Sequence, residues 1–415
     1  MAGQLVDTLA IDFGTSNSAA AIMTQDGIER IAVEAGAETL PTAVFFPLGE
    51  PMLIGQEASN ALIERYEGRY MRALKSVLGL DLLHEPTLIG GSRQTLADII
   101  CAFLSQIKQR AEQQAGRAFK KVLSGRPVRF HSDNPDRDRR ALADLTACYR
   151  AAGFEQVDFL PEPEAAALAA HDQHRAEGLG LVVDIGGGTS DFCVFRNSGG
   201  AIDILASYGI RLGGTDFDRL ISLAHAMPQL GLGGMLRREM QSGLLPVPRR
   251  LYADLATWSH IPFLYSAKVK REVEEMVRLA LQPRIVERLL TLIEDQSGHA
   301  LAFAVEAAKI DVNTGARAGA VDMGFIEPGL VAPLTPETMD ETLDENRRHM
   351  RSAADSTLAR AGVDPADISS IVLVGGSSLM GLVSQEMRTL CPRAEFQQAR
   401  IFTAVVDGLA LATRH

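Results

Sequence analysis

Apolar and polar positions alternate from the start of the chain. The runs LAIDF (9–13), SAAAIM (18–23), IERIAVE (28–34) and TAVFF (42–46), separated by Gly, Asn and Asp, predict a meander of strands. The period then lengthens. Leu96, Ile99, Ile100, Phe103, Leu104 and Ile107 recur at helical spacing over 95–116, and Thr95 with Asp98 has the form of a capping box. KVLSG (121–125) predicts a strand. Residues 134–153 predict a helix with Asn134 as N-cap, Pro135 in the first turn and Gly153 as C-cap. VDFL (157–160) predicts another strand, and 163–174 another helix. From Leu179 the scheme restarts with LVVDI, SDFCVFR and AIDILAS, and a helix begins near Thr215.

The two openings resemble each other. IDFGTSNSAAAI (11–22) lies beside VDIGGGTSDFCVF (183–195), each a strand ending in Asp, a turn containing Gly and Thr, and a second strand. This weak internal repeat predicts two related lobes, 1–178 and 179–399, with 400–415 a helix returning to the first. Each lobe carries an inserted segment, about 47–118 and a mainly helical one at about 217–305. Three consecutive glycines between apolar strands are costly unless another group must approach the main chain. A Gly-rich turn aims several N–H groups at one point and can cradle an anion. Aspartates at the strand ends cannot bind phosphate directly, but they can hold Mg²⁺ and its waters. The alternative for either loop alone is a tight hairpin turn.

Length and composition narrow the setting. A chain of 415 residues, 46% hydrophobic and 22% charged, implies more than one folding unit with sizeable cores. No apolar run reaches membrane-spanning length, and the N-terminus has no secretory pattern. The four cysteines (101, 148, 193 and 391) lack paired or metal-ligand spacing, which predicts reduced thiols in a cytoplasmic protein. A net charge of −11 argues against a nucleic-acid or anionic-membrane partner.

Five motifs, in order, carry a family resemblance: IDFGTSNS, FLPEPEAAAL (159–168), VDIGGGTSDF, IRLGGTDFD (210–218) and IVLVGGSS (371–378). The chain resembles the ATPase domain of the seventy-kilodalton heat-shock chaperones (DnaK-type), most of all the short YegD-like members, within the actin and sugar-kinase superfamily. That resemblance implies an α/β, two-lobed actin-like ATPase fold with duplicated ribonuclease H-like lobes. It also implies ATP/ADP and Mg²⁺ as ligands, with K⁺ a further candidate.

Roles follow residue by residue. By resemblance, Asp12, Asp184 and Asp191 serve the metal, mostly through water, and Asp184 also lies near the attacking water. Gly14, Thr15, Ser16, Asn17, Gly186, Gly187, Gly188, Gly213 and Gly214 match the phosphate loops. Thr189 is similar to the residue that orients the water, and Glu162 to the glutamate important for hydrolysis. For Glu162 the plain alternative is a helix-start acid favoured by the dipole. RALKSVLG (72–79) resembles the segment with the catalytic lysine, so Lys75 is the catalytic cation; a solvated lysine on a helix is the alternative.

On the adenosine side, AVEAAKIDVN (304–313) offers Glu306 and Lys309 for the ribose, and Gly375, Gly376 and Ser377 complete the motif. Ile310 and Leu379 stand where arginines are usual, which puts base specificity in question, and Thr215 replaces a common acid. TAVVDGLALATRH looks like the last helix of the ATPase domain, with no linker, peptide-binding domain or lid after it in this sequence. The resemblance then implies an ATPase acting through an unidentified protein partner or client. Two other classes stay open: a small-molecule kinase, for which HSDNPDRD (131–138) holds polar candidates, and a non-catalytic nucleotide-sensing or filament-forming protein. ATWSHIPFLY (256–265) reads as packing or a partner surface, with packing favoured.

Overall fold

The computed structural model describes residues 7–414 apart from 35, 174–176, 200, 239–241, 316–318 and 399–401. Of the expected helices, the end of the 163–174 helix and residues 400, 401 and 415 lie outside the described residues. The chain divides into two compact units, residues 1–214 with 347–415, and residues 215–346.

The first unit begins with β1 (Thr8–Phe13), β2 (Asn17–Thr24), β3 (Gly27–Arg30) and β4 (Thr39–Pro41). A smaller group follows: β5 (Ala43–Pro47), β6 (Leu53–Ile54), α1 (Gly55–Ile63), β7 (Gly68–Arg72), β8 (Thr87–Ile89) and β9 (Ser92–Gln94). Next come α2 (Leu96–Ala115), β10 (Lys121–Arg126), α3 (Pro135–Ala151), β11 (Gln156–Pro161) and α4 (Glu162–Gln173). A second meander, β12 (Gly178–Ile185), β13 (Ser190–Asn197) and β14 (Ile202–Ile210), precedes α5 (Gly214–Ile221), which carries the chain out.

Residues 215–346 hold two hairpins, β15 (Met235–Arg237) with β16 (Leu244–Pro246), and β17 (Ala320–Asp322) with β18 (Val331–Pro333). Its helices are α6 (Arg249–Leu255), α7 (Ala267–Leu279), α8 (Pro283–Glu294) and α9 (Gly298–Thr314). Trp258 is buried there, edge-on to Phe303 at 5.1 Å, and its indole N–H donates to Asp218. The only tryptophan therefore packs, as favoured from sequence. The chain returns through α10 (Pro336–Ala361) to β19 (Ile368–Val374), α11 (Gly381–Leu390), β20 (Glu395–Gln398) and α12 (Ala404–Ala412).

The repeat glimpsed in the sequence is a repeat of topology. The first sheet runs β11–β10–β1–β2–β3 and the second β20–β19–β12–β13–β14. In both, the first strand pairs antiparallel with the next and parallel with a strand far along the chain. Local signals set most elements. Thr95 and Asp98 make the full capping box, Asn134 accepts from the Arg137 N–H, and Gly153 (φ +92°) follows the cap residue Ala152. One expectation fails. TAVFF does not continue the meander; β5 leaves the first sheet to pair with β6 and β7. All five of its positions are buried, so it needs cover on both faces, and α1 packs on it.

Small residues of α4 and α12 fill the space between the two sheets, with Ala165, Ala166, Ala167, Val405, Val406 and Leu409 in one core with residues of β1, β2, β12, β13 and β19. A Cβ on Gly408 would lie 1.7 Å from the Ala165 carbonyl oxygen, so this crossing admits only glycine. Arg30 clamps the same helix with a two-pronged pair to the buried Asp407, Nε–Oδ1 2.7 Å and Nη2–Oδ2 2.8 Å. Among the described residues no helix is long and apolar enough to cross a membrane. Overpacking of this kind costs about 1–3 kcal/mol. Gly408→Ala should therefore lower the unfolding free energy by the upper part of that range in urea titrations, and an unchanged midpoint would show that the crossing is loose.

Candidate functional site

The site is built on two matched hairpins. Asp12 pairs with Ala19 and Phe13 with Ser18; Asp184 pairs with Asp191 and Ile185 with Ser190. Each turn is thus four residues long, 14–17 and 186–189. Each is tied back by a serine at the same register: Ser18 Oγ to Thr42 Oγ1 at 2.8 Å, and Ser190 Oγ to the Leu212 carbonyl at 2.6 Å. The turns face each other. A Cβ on Gly187 would fall 2.3 Å from Ser16 Oγ, and one on Gly188 would fall 2.9 Å from Thr15 Oγ1. Gly213 backs the second turn, where a Cβ would meet the Gly188 N at 2.5 Å, and Gly214 N–H donates to the Gly186 carbonyl. None of Gly14, Gly186, Gly187 or Gly188 has a positive φ, so glycine is required here for close approach and not for left-handed backbone.

These loops line a cavity with Asp12, Lys75, Glu162, Asp184, Gly375 and Gly376. Lys75 lies on a 3₁₀ turn, Leu74–Val77, and not on an exposed helix. Its Nζ is 2.6 Å from Glu162 Oε1, and both residues are buried. The residue before the turn, Ala73, is held in the left-handed region (φ 60°, ψ 33°), strain of the kind that gathers at functional sites. Asp191 accepts from the Val128 N–H at 2.8 Å and from the Thr189 side chain.

One buried ammonium thus serves four carboxylates. Burial and then the Glu162 charge push Asp12 up to about 7 against the pull of Lys75, and they push Asp191 up to about 8. Asp184 is raised well above the carboxylate range by burial, Glu162, Asp191 and Asp12. Burial alone would lower Lys75, but Glu162 and Asp12 outweigh it and hold its charge. Uncompensated oxygen-rich negative charge suits a hard cation such as Mg²⁺. Among the described residues no three acidic, His or Cys side chains converge closely enough to ligate an ion directly. A metal at these carboxylates would be held through water.

The remaining expected residues are placed as follows. Gly375 (φ +78°) packs on the Ile185 carbonyl and Asp184, and Ser377 lies against Gly214. Leu379 is 49% exposed. In residues 215–346, Glu306 is half-buried and Ile310 is 51% exposed on α9. Lys309 is buried with its Nζ 2.6 Å from Asp218 Oδ1. That lysine already has a carboxylate partner, which sequence spacing could not reveal.

The family model of the Hsp70 protein matches residues 8–230, more than half of the chain. The chain belongs to the Hsp70 protein family. Its paired sheets are that family's actin-like ATPase fold. It is 34% identical over 224 residues to the chaperone protein DnaK of Thermosipho africanus, covering 53% of this chain and 36% of that protein. It is 25% identical over 389 residues to the chaperone protein DnaK of Methanothermobacter thermautotrophicus, covering 91% of this chain and 54% of that one. The matched stretches span from about a third to about half of the relatives' length.

Sequence reading missed how the Hsp70-family site fixes its lysine segment. His131 Nε2 bonds the Leu78 carbonyl at 2.8 Å, Arg211 Nη1 reaches His131 Nδ1 at 2.6 Å, and Arg211 Nη2 donates to the Ser76 carbonyl at 3.0 Å. Asp144 accepts the Gly79 N–H at 3.0 Å. Two more residues of HSDNPDRD are similarly committed: Asn134 caps α3, and Asp138 accepts from the Phe130 and His131 N–H groups.

Two bonds, one given and one accepted, require neutral His131, and its pKa is lowered from 6.5, first by burial and then by the charges of Arg211 and Arg137. A folded value below the unfolded one means that this contribution is complete above about pH 6.5 and is lost as pH falls through the folded value. Acidification from about pH 7.5 to 5.5 should therefore lower the urea midpoint more for the wild type than for His131→Gln, whose amide can both give and accept but does not titrate. Equal losses would remove His131 as the cause.

Proposed function

We propose that this chain binds Mg·ATP at the facing glycine turns and hydrolyses it slowly to ADP and phosphate, as the nucleotide-binding part of a DnaK-like chaperone system. The observation that carries the reading is the register-matched pair of Asp–x–Gly turns beside a buried Lys75–Glu162 pair. In this reading the main-chain N–H groups of 14–17, Gly187 and Gly188 cradle the phosphates, with Thr15, Ser16 and Asn17 adding side-chain donors, and Gly186, whose N–H donates to the Thr189 carbonyl, shaping the second turn with Gly213 and Gly214. Asp184 and Thr189 orient the attacking water. Lys75 places its charge where negative charge develops in the transition state, and Glu162 fixes that ammonium. Magnesium, held through water by Asp12, Asp184 and Asp191, supplies neutralisation of the polyphosphate. Gly375, Gly376, Ser377 and Leu379 form the adenosine side.

Hydrolysis is favoured over transfer to a small acceptor. Three of the polar side chains of 131–138, His131, Asn134 and Asp138, are spent on the lysine segment, the helix cap and neighbouring main chain. The working parts are the duplicated lobes 1–178 and 179–399, and turnover is read by another protein as a change in lobe closure. Calorimetry should detect Mg·ATP binding, and single-turnover assays should detect phosphate release without any acceptor; no binding in the presence of Mg²⁺ would end the proposal. Lys75→Ala should reduce turnover at saturation by about a hundredfold or more while affinity changes little, because its contact is worth most in the transition state. A parallel loss of affinity with turnover intact would make Lys75 a binding residue only.

A further inference from the structure

Outside the glycine-turn cavity, the fold brings together two thiols that lie far apart in the sequence. Cys101 is half-buried on α2, and Cys148 is buried in the last turn of α3. Their thiols lie close enough to shift each other's ionisation. Cys148 Sγ also lies 3.8 Å from the carbonyl oxygen of Ala97, four residues before Cys101 and so in the helical turn that carries it. Cys148 therefore faces the turn that carries Cys101 across the seam where α2 and α3 pack.

We propose that Cys101 and Cys148 form a reversible redox pair, in which a hydroperoxide oxidises Cys101 and Cys148 resolves it to a disulfide joining α2 to α3. In the first step the Cys101 thiolate attacks the peroxide. The O–O bond breaks, an S–O bond forms, and the departing hydroxide takes up a proton as water. In the second step the Cys148 sulfur attacks the sulfenic sulfur. The S–O bond breaks, the S–S bond forms, and hydroxide leaves with the Cys148 proton as a second water. Two thiols lose two electrons and hydrogen peroxide is reduced to two waters; a small dithiol reverses the change.

Access assigns the order. Cys101 is only half-buried, whereas Cys148 is buried with its S–H directed at the Ala97 carbonyl. Oxidation follows exposure, so Cys101 acts first. The other two thiols differ: burial pushes Cys193 up to about 12 and Cys391 up to about 11. Oxidation also touches the segment that carries Lys75. Asp144, one helical turn before Cys148, holds the Gly79 N–H, and Gly79 packs on the Arg137 carbonyl at the start of the same helix.

The test uses the full chain treated with hydrogen peroxide, alkylated, digested without reductant and read by mass spectrometry. A cross-linked peptide pair containing Cys101 and Cys148, lighter by two hydrogens and split by dithiothreitol, is expected, with the oxidised form melting several degrees higher. In Cys148→Ser the pair cannot close, and Cys101 should accumulate as sulfenic acid that dimedone traps. The proposal is overturned if wild-type Cys101 and Cys148 both remain alkylatable, if Cys101 passes to sulfinic acid with no cross-link, or if Cys193 and Cys391 oxidise at the same rate. The readout on the wild-type chain does not depend on nucleotide chemistry, so it stands or falls apart from the ATPase reading.

Discussion

A single buried ammonium among four carboxylates is the constraint around which the first unit is arranged. Lys75 holds Glu162 directly, and its charge is felt at Asp12, Asp184 and Asp191. Removing charges from water is costly, and an ion pair alone seldom recovers that cost. The arrangement persists because the surrounding backbone is over-determined. Serines tie back both turns, while His131, Arg211 and Asp144 fix the lysine segment. The residual negative charge is a liability for stability and a fitting environment for a hydrated hard cation.

Geometry comes from duplication. One hairpin design is used twice, with Asp at the same register and four residues in the turn, so two cradles of nearly the same shape face a common point. The copies differ in the side chains they carry. The strand position opposite Asp12 is Ala19, whereas the position opposite Asp184 is Asp191, and Asn17 corresponds to Thr189. The second copy thus carries the extra carboxylate, while the first carries the Thr15 and Ser16 hydroxyls where the second has glycines. What keeps both copies in one compact unit is the crossing of α4 and α12, where alanines and Gly408 let two helices approach at backbone distance. Larger side chains there would push the sheets apart and with them the two turns.

Much of this was legible in the sequence because it rests on local rules. Capping residues, helical and alternating periods, and glycine at points of close approach are written within a few residues of where they act, and Thr95, Asn134 and both turns appear where those rules put them. The repeat was legible too, since matching spacing from Asp to Ser needs no knowledge of packing. Other features depended on which distant segments meet. TAVFF has the composition of a meander strand, yet its two-sided burial sends it to another sheet. Lys309 reads as a ribose-facing lysine, and nothing in the sequence shows that Asp218 lies beside it. Asp144 carries no motif, nothing in the stretches around His131 and Arg211 shows that these two meet, and the 46 residues between Cys101 and Cys148 hide that their helices adjoin. Sequence determined the elements, the turns and their chemistry, because these follow from neighbours along the chain. Tertiary structure alone decided which charges are paired and which cysteine-bearing turns face each other, because electrostatics and hydrogen bonding act through space and depend on burial that no single segment controls.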